Sequence, residues 1–265
     1  MNKIIIIHTF HAFEICKTIE KKVLDKIILF PMLLTPSYLK SGENIPKIYV
    51  NYEKKTLRSV FKIITPSIFE CNQIRTIYKI EPHRVVCIPR YVSSQFNFSS
   101  HIIEFNKPIK ICYVASIKKQ KQNIKALELL KLLLKQGLNA HLYLVGAIHD
   151  FSEYLKILTY IDNNYLRENV TILQQLSQKK VNELFSQTLI NISVSRCETF
   201  GRSIIEGLYT GLPAFVLKSA ECFESLVGDC NGIEYFDNIE DMASRIKFLY
   251  GNINYYKELC EQALF

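Results

Sequence analysis

Short apolar runs alternate with amphipathic stretches along the second half of the chain. Residues 110–116 predict a buried strand, and the leucine spacing in 124–137 predicts a helix that stops at Gly137. Further strands are predicted at 141–146, 169–173, 189–195 and 214–217, and further helices at 152–168, 177–187, 237–250 and from Asn254 onward. Ser177 and Asp237 are the expected helix caps. This alternation predicts a parallel, doubly wound α/β sheet.

The first hundred residues follow the same pattern less regularly. Apolar runs predict strands at 4–8, 26–30, 47–50, 61–65 and 84–89, and helices are expected at 52–60 and 67–79. The first run, IIIIH, is followed by no small-residue cleavage site, so it is interpreted as a buried strand and not as a signal peptide. The polar stretch 93–108 predicts a linker. Two α/β lobes are therefore expected, 1–100 and 101–265.

Composition excludes several classes of protein. No apolar run approaches the roughly 18 residues of a membrane span. The eight cysteines form no CxxC pair and no metal-ligand spacing, which indicates reduced thiols in a cytosolic protein and no metal site. The formal net charge of +8 is compatible with nucleic acid, an anionic membrane surface or a phosphorylated ligand, and also with a lysine-rich genome. The scattered lysines disfavour nucleic acid.

The stretch RCETFGRSIIEGLYTGLPAF, residues 196–215, carries the candidate chemistry. It follows a predicted parallel strand, and ligands of such sheets bind where a strand leads through a loop into a helix. The N-terminus of that helix suits a phosphate, and Gly201 allows close approach of the backbone. Glu198 and Glu206 can bracket a ligand about 10 Å long and accept hydrogen bonds from sugar hydroxyls. A nucleotide sugar has all these features.

The same stretch resembles the E-x7-E signature of GT-B glycosyltransferases of the GT4 type, the group 1 glycosyltransferases. The matching residues are Glu198, Thr199, Phe200 and Gly201, then Glu206, then Gly-Leu-Pro at 211–213. Residues 64–92 are similar to the end of the family's N-terminal lobe, and 113–123 to its first C-lobe strand and phosphate loop. The resemblance implies a GT-B fold with two Rossmann-like lobes.

It also implies a role for each matching residue. Glu198 would be a catalytic residue that contacts the donor sugar, with the amides of Phe200 and Gly201 beside the sugar or diphosphate. Glu206 would hold the ribose diol, and Lys121 the diphosphate. The implied reaction is glycosyl transfer from a UDP-, GDP- or ADP-linked sugar to a glycan or lipid-linked acceptor. The family likeness further implies a retaining, metal-independent reaction with no cofactor.

The chain departs from the family at the phosphate loop. Ala115 and Ser116 stand where Gly-Arg is frequent, and Gln122 stands where a glycine is frequent. Arg202 is a candidate replacement for the missing arginine, and Ser116 and Thr199 complete the expected donor-binding set. Arg90 and Tyr91 replace a frequent Asn-Gly.

The larger departure from the family is in the N-terminal lobe. No glycine-rich loop follows the first predicted strand, so the N-terminal lobe is expected to be truncated, either as a shortened form or because a second polypeptide supplies the rest. The family's acceptor-side histidine would follow a strand near here. His8 is the candidate for that catalytic role, whereas His11 is more typical of a buried, satisfied histidine.

Three functional hypotheses remain open. The first is a cytoplasmic glycosyltransferase of polysaccharide, lipid-linked glycan or glycoconjugate biosynthesis, with peripheral membrane contact. The second is a catalytically inactive remnant or partner subunit that keeps only the nucleotide site. The third is a sugar-nucleotide epimerase of the same fold, for which no acid–base set is identified in the sequence.

Overall fold

The computed structural model describes residues 4–33, 35–40, 42, 45–101, 107–220, 222–227 and 230–263. The chain divides into two compact units. The first comprises Met1–Tyr91 with the short segments Cys197–Phe200 and Glu221–Leu226, and the second comprises the rest. The division after Tyr91 precedes the boundary expected at residue 100, and the two short segments come from the lobe predicted to be C-terminal.

The first unit is built on a four-stranded parallel sheet with the order β1-β2-β3-β4. The strands are β1 (Ile5–His11), β2 (Ile27–Leu33), β3 (Lys62–Thr65) and β4 (Val85–Cys87). The helices are α1 (Ile15–Thr18), α2 (Lys21–Leu24), α3 (Thr35–Lys40), α4 (Lys47–Ser59) and α5 (Ile68–Tyr78). Four of the five predicted strands in this region are therefore confirmed.

The predicted strand at 47–50 is wrong. These residues form the first turn of α4, which begins directly after Pro46 and continues to Ser59. Glu53, Thr56, Leu57 and Val60 are buried. This helical spacing of buried positions determines the structure of the whole segment, including the short apolar run at its start.

The expectation that the IIIIH run is a buried strand is wrong for most of its residues, including Ile5, which is 39% exposed. Residues 5–8 lie in β1, but Ile4 and Ile6 are 59% and 67% exposed. Ile7, on the other face of the strand, packs against the buried core of the unit. An apolar run shows no alternation, so it cannot reveal which of its side chains are exposed among the described residues.

The second unit holds a six-stranded parallel sheet with the order β10-β9-β8-β5-β6-β7. Its strands are β5 (Ile109–Val114), β6 (Ala140–Val145), β7 (Val170–Leu173), β8 (Ile190–Ser193), β9 (Ala214–Leu217) and β10 (Ile233–Phe236). From β5 the chain proceeds to one edge through β6 and β7, then returns to β8 and proceeds to the other edge. This is the predicted doubly wound arrangement, and it places the switch point between β5 and β8.

Apart from α10, which was not predicted, the helices of this half of the chain begin and end close to the predicted positions. They are α6 (Asn123–Lys135), α7 (Phe151–Asn163), α8 (Gln178–Gln187), α9 (Arg202–Tyr209), α10 (Cys222–Val227), α11 (Ile239–Tyr250) and α12 (Ile253–Gln262). Ser177 caps α8 as expected, whereas Asn238 and not Asp237 caps α11. Helix α7 stops before the predicted residue 168.

Buried aliphatic side chains of β5, β6 and β8 and of the helices α6 and α11 form the core of the second unit. This core fixes the carboxyl ends of the strands, from which the candidate site is built. Among the described residues, no helix is long and apolar enough to cross a membrane.

Candidate functional site

The switch point of the six-stranded sheet lies where β5 and β8 run side by side, with Ile111 opposite Ile190 and Cys112 opposite Asn191. Two loops leave the carboxyl ends of these strands. The first, residues 115–122, leads into α6, and the second, residues 194–201, leads into α9. Because neighbouring strands at a switch point send their helices to opposite faces, a crevice opens between such loops, and ligands of open α/β sheets bind there.

The Tyr113 side chain forms hydrogen bonds with both loops. Its hydroxyl donates a hydrogen bond to the carbonyl oxygen of Lys121 at 2.5 Å and lies 2.8 Å from the Ser195 hydroxyl, which therefore acts as the donor in that pair. The amide of Arg196 donates to the carbonyl of Gln120 at 2.9 Å. Side-chain and backbone bonds between the two loops thus hold them at a fixed separation.

The first loop ends in a residue with a left-handed backbone conformation. Gln122 has φ +48° and ψ +45°, the left-handed region that glycine adopts at little cost. Gly146 lies against the same loop, because a Cβ there would be 2.2 Å from the carbonyl oxygen of Ala115. Ser116 and Lys121 are both half-buried. Gln122 therefore adopts a conformation that a glycine, the residue expected here from the resemblance, would adopt at little cost.

Helix α9 carries the second part of the site. Gly201 has φ +63° and forms the N-cap of this helix. Arg202 is exposed at the first turn. Glu206, in the second turn, is only 6% exposed, and its Oε1 lies 3.4 Å from Nε of Arg202. Burial raises the pKa of Glu206 to about 7, although the nearby guanidinium of Arg202 lowers it.

Asn191 and Gly207 hold α9 close to the sheet. The Asn191 side-chain amide donates to the carbonyl of Ser203 at 2.8 Å, and a Cβ on Gly207 would lie 2.7 Å from that same amide nitrogen. A larger residue at 207 would displace the helix, and Glu206 with it. These positioning residues were missed in the sequence, as were Tyr113 and Ser195. The available signal was polar Asn191 within an otherwise apolar strand.

The loop segment Cys197–Phe200 groups with the first unit, although it leads directly into α9 along the chain. Within that unit the Ser67 hydroxyl donates to the carbonyl oxygen of Thr199 at 2.8 Å. Phe200 is buried, and Glu198 and Thr199 are half-buried. The peptide before Gly201 is therefore held by a hydrogen bond from a residue 132 positions earlier.

The two histidine candidates differ in their position on β1. His8 lies inside the strand, opposite Phe30, and not after the strand as expected. Its ring centroid is 6.4 Å from that of Phe30. His11 is the last residue of the strand, opposite Leu33. The carboxyl end of a parallel strand, where ligands bind, is thus marked by His11.

Within the second unit the structure brings Ser116, Lys121, Gly201, Arg202 and Glu206 to the loops and helix start at the switch point. Glu198, Thr199, Phe200 and His8 belong to the first unit. Among the described residues, no group of three or more histidine, cysteine, aspartate or glutamate side chains could hold a metal ion.

Residues 95–263 match the sequence model of the family described as glycosyl transferases group 1. The chain belongs to this family. It is therefore a glycosyltransferase, and the match covers almost all of the second unit, including the two switch-point loops. No curated protein sequence matches the chain at a significant level.

Solved structures of similar fold support the group 1 glycosyltransferase architecture. A sucrose-phosphate synthase from Thermosynechococcus elongatus has a TM-score of 0.75 and 16% identity, over 97% of this chain and 67% of that one. A glycosyltransferase from Rickettsia africae has a TM-score of 0.67 and 21% identity, over 95% and 74%. Anabaena HepE in complex with UDP and glucose has a TM-score of 0.72 and 14% identity, over 89% and 65%. The fold is the predicted GT-B fold.

Proposed function

We propose that this glycosyltransferase is of the GT4 type and transfers a sugar from a nucleoside-diphosphate sugar to a glycan or lipid-linked acceptor. In the reaction the bond between the anomeric carbon and the diphosphate oxygen breaks, and a bond to an acceptor oxygen forms. The nucleoside diphosphate leaves with the electron pair, and the acceptor loses a proton. We further propose that the reaction retains anomeric configuration and needs no metal.

The observation that carries the proposal is the buried carboxylate of Glu206 at the switch point. A glutamate with almost no exposure and a raised pKa is costly to keep in an empty site. Hydrogen bonds from a ribose diol would offset that cost, since vicinal hydroxyls can donate to both carboxylate oxygens. Its ion-pair partner Arg202 is largely exposed, so the guanidinium can contact a diphosphate as well.

The remaining roles follow the family signature. Lys121 and the helix start at Gly201 and Arg202 would neutralise the diphosphate as the leaving group develops charge. Ser116 would contact a phosphate oxygen, and the loop residues Glu198, Thr199 and Phe200 would contact the transferred sugar. His8 stays a proposal on the acceptor side. Two similar structures are described with UDP or UDP-glucose, so a UDP-linked hexose is the first donor to test.

We place the reaction in the cytoplasm, in the biosynthesis of a surface glycan. No disulfide joins the cysteines whose side chains the structure describes, which suits a reducing compartment. Peripheral membrane contact and a second polypeptide that completes the first unit are also part of the proposal.

Calorimetric titration with UDP, GDP and ADP, and then with their sugar conjugates, tests the donor site. We expect micromolar binding of one nucleotide, unchanged by EDTA and weakened by Glu206→Ala. Glu183→Ala, on the exposed side of α8, is the matched control and should bind as the native protein does. Failure of all three nucleotides to bind would refute the proposal. Binding without transfer or donor hydrolysis would favour a subunit that keeps only the nucleotide site.

A further inference from the structure

The second unit contains a cavity at the edge of its sheet opposite the switch-point loops. The cavity has a volume of about 350 Å³ and lies between the segments that precede β5 and β8 and the C-terminal end of α8. Because these two strands are parallel, their amino ends meet at the same edge. The length of β5 separates this edge from the switch point by about 20 Å. The cavity is therefore not part of the proposed donor site.

The lining of the cavity is basic and polar. Lys107 and Lys110 contribute two cations, and the described lining residues include no aspartate or glutamate. The C-terminal end of α8 adds only about half a negative charge. The Ser100 hydroxyl and the Gln187 side-chain amide also line the cavity and are able to donate hydrogen bonds. Two ammonium groups with neutral donors beside them suit the oxygens of a phosphate group.

His101 lines the same cavity and contacts the ends of two helices. It is only 6% exposed. Its Nδ1 lies 3.0 Å from the carbonyl oxygen of Thr188, the C-cap of α8, and its Nε2 lies 3.3 Å from that of Thr210, the C-cap of α9. Carbonyl oxygens only accept hydrogen bonds. A neutral imidazole carries one N–H and forms one of these two bonds, whereas the cation forms both.

The neutral ring favours the bond to Thr188. That contact is the shorter of the two, and the carbonyl of Thr210 already accepts a hydrogen bond from the Ser99 amide at 3.0 Å. Protonation of Nε2 would add the bond to Thr210, which ends the helix that begins after Gly201 and carries Glu206. The second bond would therefore restrain the helix of the donor site.

The surroundings of His101 oppose its protonation. Burial lowers the pKa of His101 from its ordinary value of 6.5, although the hydrogen bonds to the two carbonyls raise it. Lys107 and Lys110 bring like charge to the cavity. The charged side chains of the two helices that the ring contacts are Lys179, Lys180 and Glu183 on α8 and Arg202 and Glu206 on α9. An anion in the cavity would offset the positive charge and favour the imidazolium form.

We propose that this cavity binds the phosphate group of a small molecule, and that the bound anion stabilises the second hydrogen bond of His101, to the carbonyl of Thr210. Lys107 and Lys110 neutralise the phosphate, and His101 takes up one proton from solvent when the ligand binds. Through Thr210 the ligand restrains α9 and favours nucleotide binding at the other end of that helix. His101 is a positioning residue in this scheme. The anion site stands without the proposed function, whereas its effect on nucleotide binding rests on that function.

Inorganic sulfate is the first probe, because it stays fully ionised throughout the titration. The proton resonance of the His101 ring, assigned by its loss in His101→Asn, reports the pKa of the ring in the intact protein. We expect saturating sulfate to raise this pKa by about one pH unit at constant ionic strength. Lys110→Gln should remove most of the rise, and Lys107→Gln repeats the test in case Lys110→Gln does not fold.

Lys135→Gln is the matched control, because it removes an exposed lysine from the last turn of α6. It should keep the full response to sulfate, and circular dichroism checks the fold of each variant. A ring pKa that sulfate leaves unchanged, or that responds equally in Lys110→Gln and Lys135→Gln, would overturn the proposal. Glycerol phosphate should bind more tightly than sulfate, since its hydroxyls can contact Ser100 and Gln187. Equal or weaker binding would overturn the assignment to a phosphate-bearing molecule.

Sulfate titrations with and without saturating UDP test the link to α9. UDP occupies the switch point, and the backbone amide shifts of Lys110 and Thr188 report sulfate in the cavity. We expect UDP to tighten sulfate binding by about threefold in the native protein and to have no effect in His101→Asn, since coupling between two sites is reciprocal. UDP that weakens sulfate binding at the cavity, or leaves it unchanged, would overturn the coupling. If UDP itself does not bind, the proposed function fails, and the response of His101 to sulfate still decides the anion site.

Discussion

The buried carboxylate of Glu206 predicts that nucleotide binding depends on pH in a way that one substitution removes. With a pKa raised to about 7, the side chain is about nine-tenths protonated at pH 6 and about nine-tenths ionised at pH 8. A ribose diol donates hydrogen bonds, so it prefers the ionised form. UDP affinity should therefore fall by roughly tenfold from pH 8 to pH 6 through this group alone, since affinity scales with the binding-competent fraction.

The diphosphate also titrates near pH 6, so the comparison with Glu206→Gln is essential. The amide that this substitution introduces is neutral throughout, and the variant should keep only the pH dependence of the nucleotide itself. The ratio of the two dissociation constants across the range isolates the carboxylate. Calorimetry in buffers of different ionisation enthalpy supplies a second readout, because at pH 7 the native protein should release about half a proton per UDP bound. Identical pH profiles and identical proton release in the two proteins would refute the assignment.

The same group has a linked effect on stability. Its pKa in the folded protein lies above the ordinary value of 4.5, so between these values the folded chain keeps a proton that the unfolded chain releases. Stability therefore falls as the pH rises from about 4.5 to about 7, by at most about 3 kcal/mol. Glu206→Ala should lose about 2–4 kcal/mol of nucleotide binding, the range of one or two hydrogen bonds to a charged group. A loss of binding together with a gain of stability at neutral pH would indicate a carboxylate kept for its ligand.

Four further predictions test the loops and the first unit. Gln122→Gly should stabilise the protein by about 1 kcal/mol in thermal unfolding, because it relieves a left-handed backbone conformation, and a lowered Tm would contradict this. Burial raises the pKa of Glu70 to about 8, and both its carboxylate oxygens lack hydrogen-bond partners among the described residues. In urea unfolding the stability of the native protein should therefore fall from pH 5 to pH 8, and the stability of Glu70→Gln should fall less. Ser67→Ala should raise the donor KM and cost about 1 kcal/mol of stability through the lost cap of α5, while Ser67→Thr should keep the native KM and the native stability. An unchanged KM in Ser67→Ala would show that the bond from Ser67 to Thr199 does not affect donor binding. His8→Ala should lower kcat by about 100-fold, as the proposed acceptor-side role requires, and an unchanged kcat would refute that role and leave His8 as a structural residue of β1.

The second unit was largely predictable because its signals are local. Strand alternation, the glycine at the end of α6 and the cap at Ser177 each depend on neighbouring residues, and each is confirmed. The displaced cap of α11 shows the limit, since Asp237 and Asn238 are both good capping residues and only the backbone decides between them. The ETFG stretch and Glu206 were likewise found because the family signature is contiguous.

The contacts that position the site were not predictable, because they join residues far apart in the chain. Tyr113 contacts Ser195 across 82 positions, and Ser67 contacts Thr199 across 132. Neither tyrosine nor serine has a sequence pattern that indicates such a partner. The exposure of β1 was missed for another reason. Isoleucines on both faces are typical of a strand covered on both sides, and the sequence cannot show that Ile4 and Ile6 are exposed in the described part of the chain.

Gln122 shows why a departure from the family signature need not mean loss of the site. The residue keeps the left-handed conformation that a glycine would adopt, and conformations of this kind persist only where surrounding contacts enforce them. Those contacts are present, since the turn before Gln122 is held by the Tyr113 hydroxyl on the carbonyl of Lys121, and the neighbouring loop is held by its bond to Gln120. The fold therefore bears the cost of this backbone conformation in the loop that leads into α6. The left-handed Gln122 backbone is thus set by contacts within the protein, and the conformation of this loop does not require a glycine at position 122.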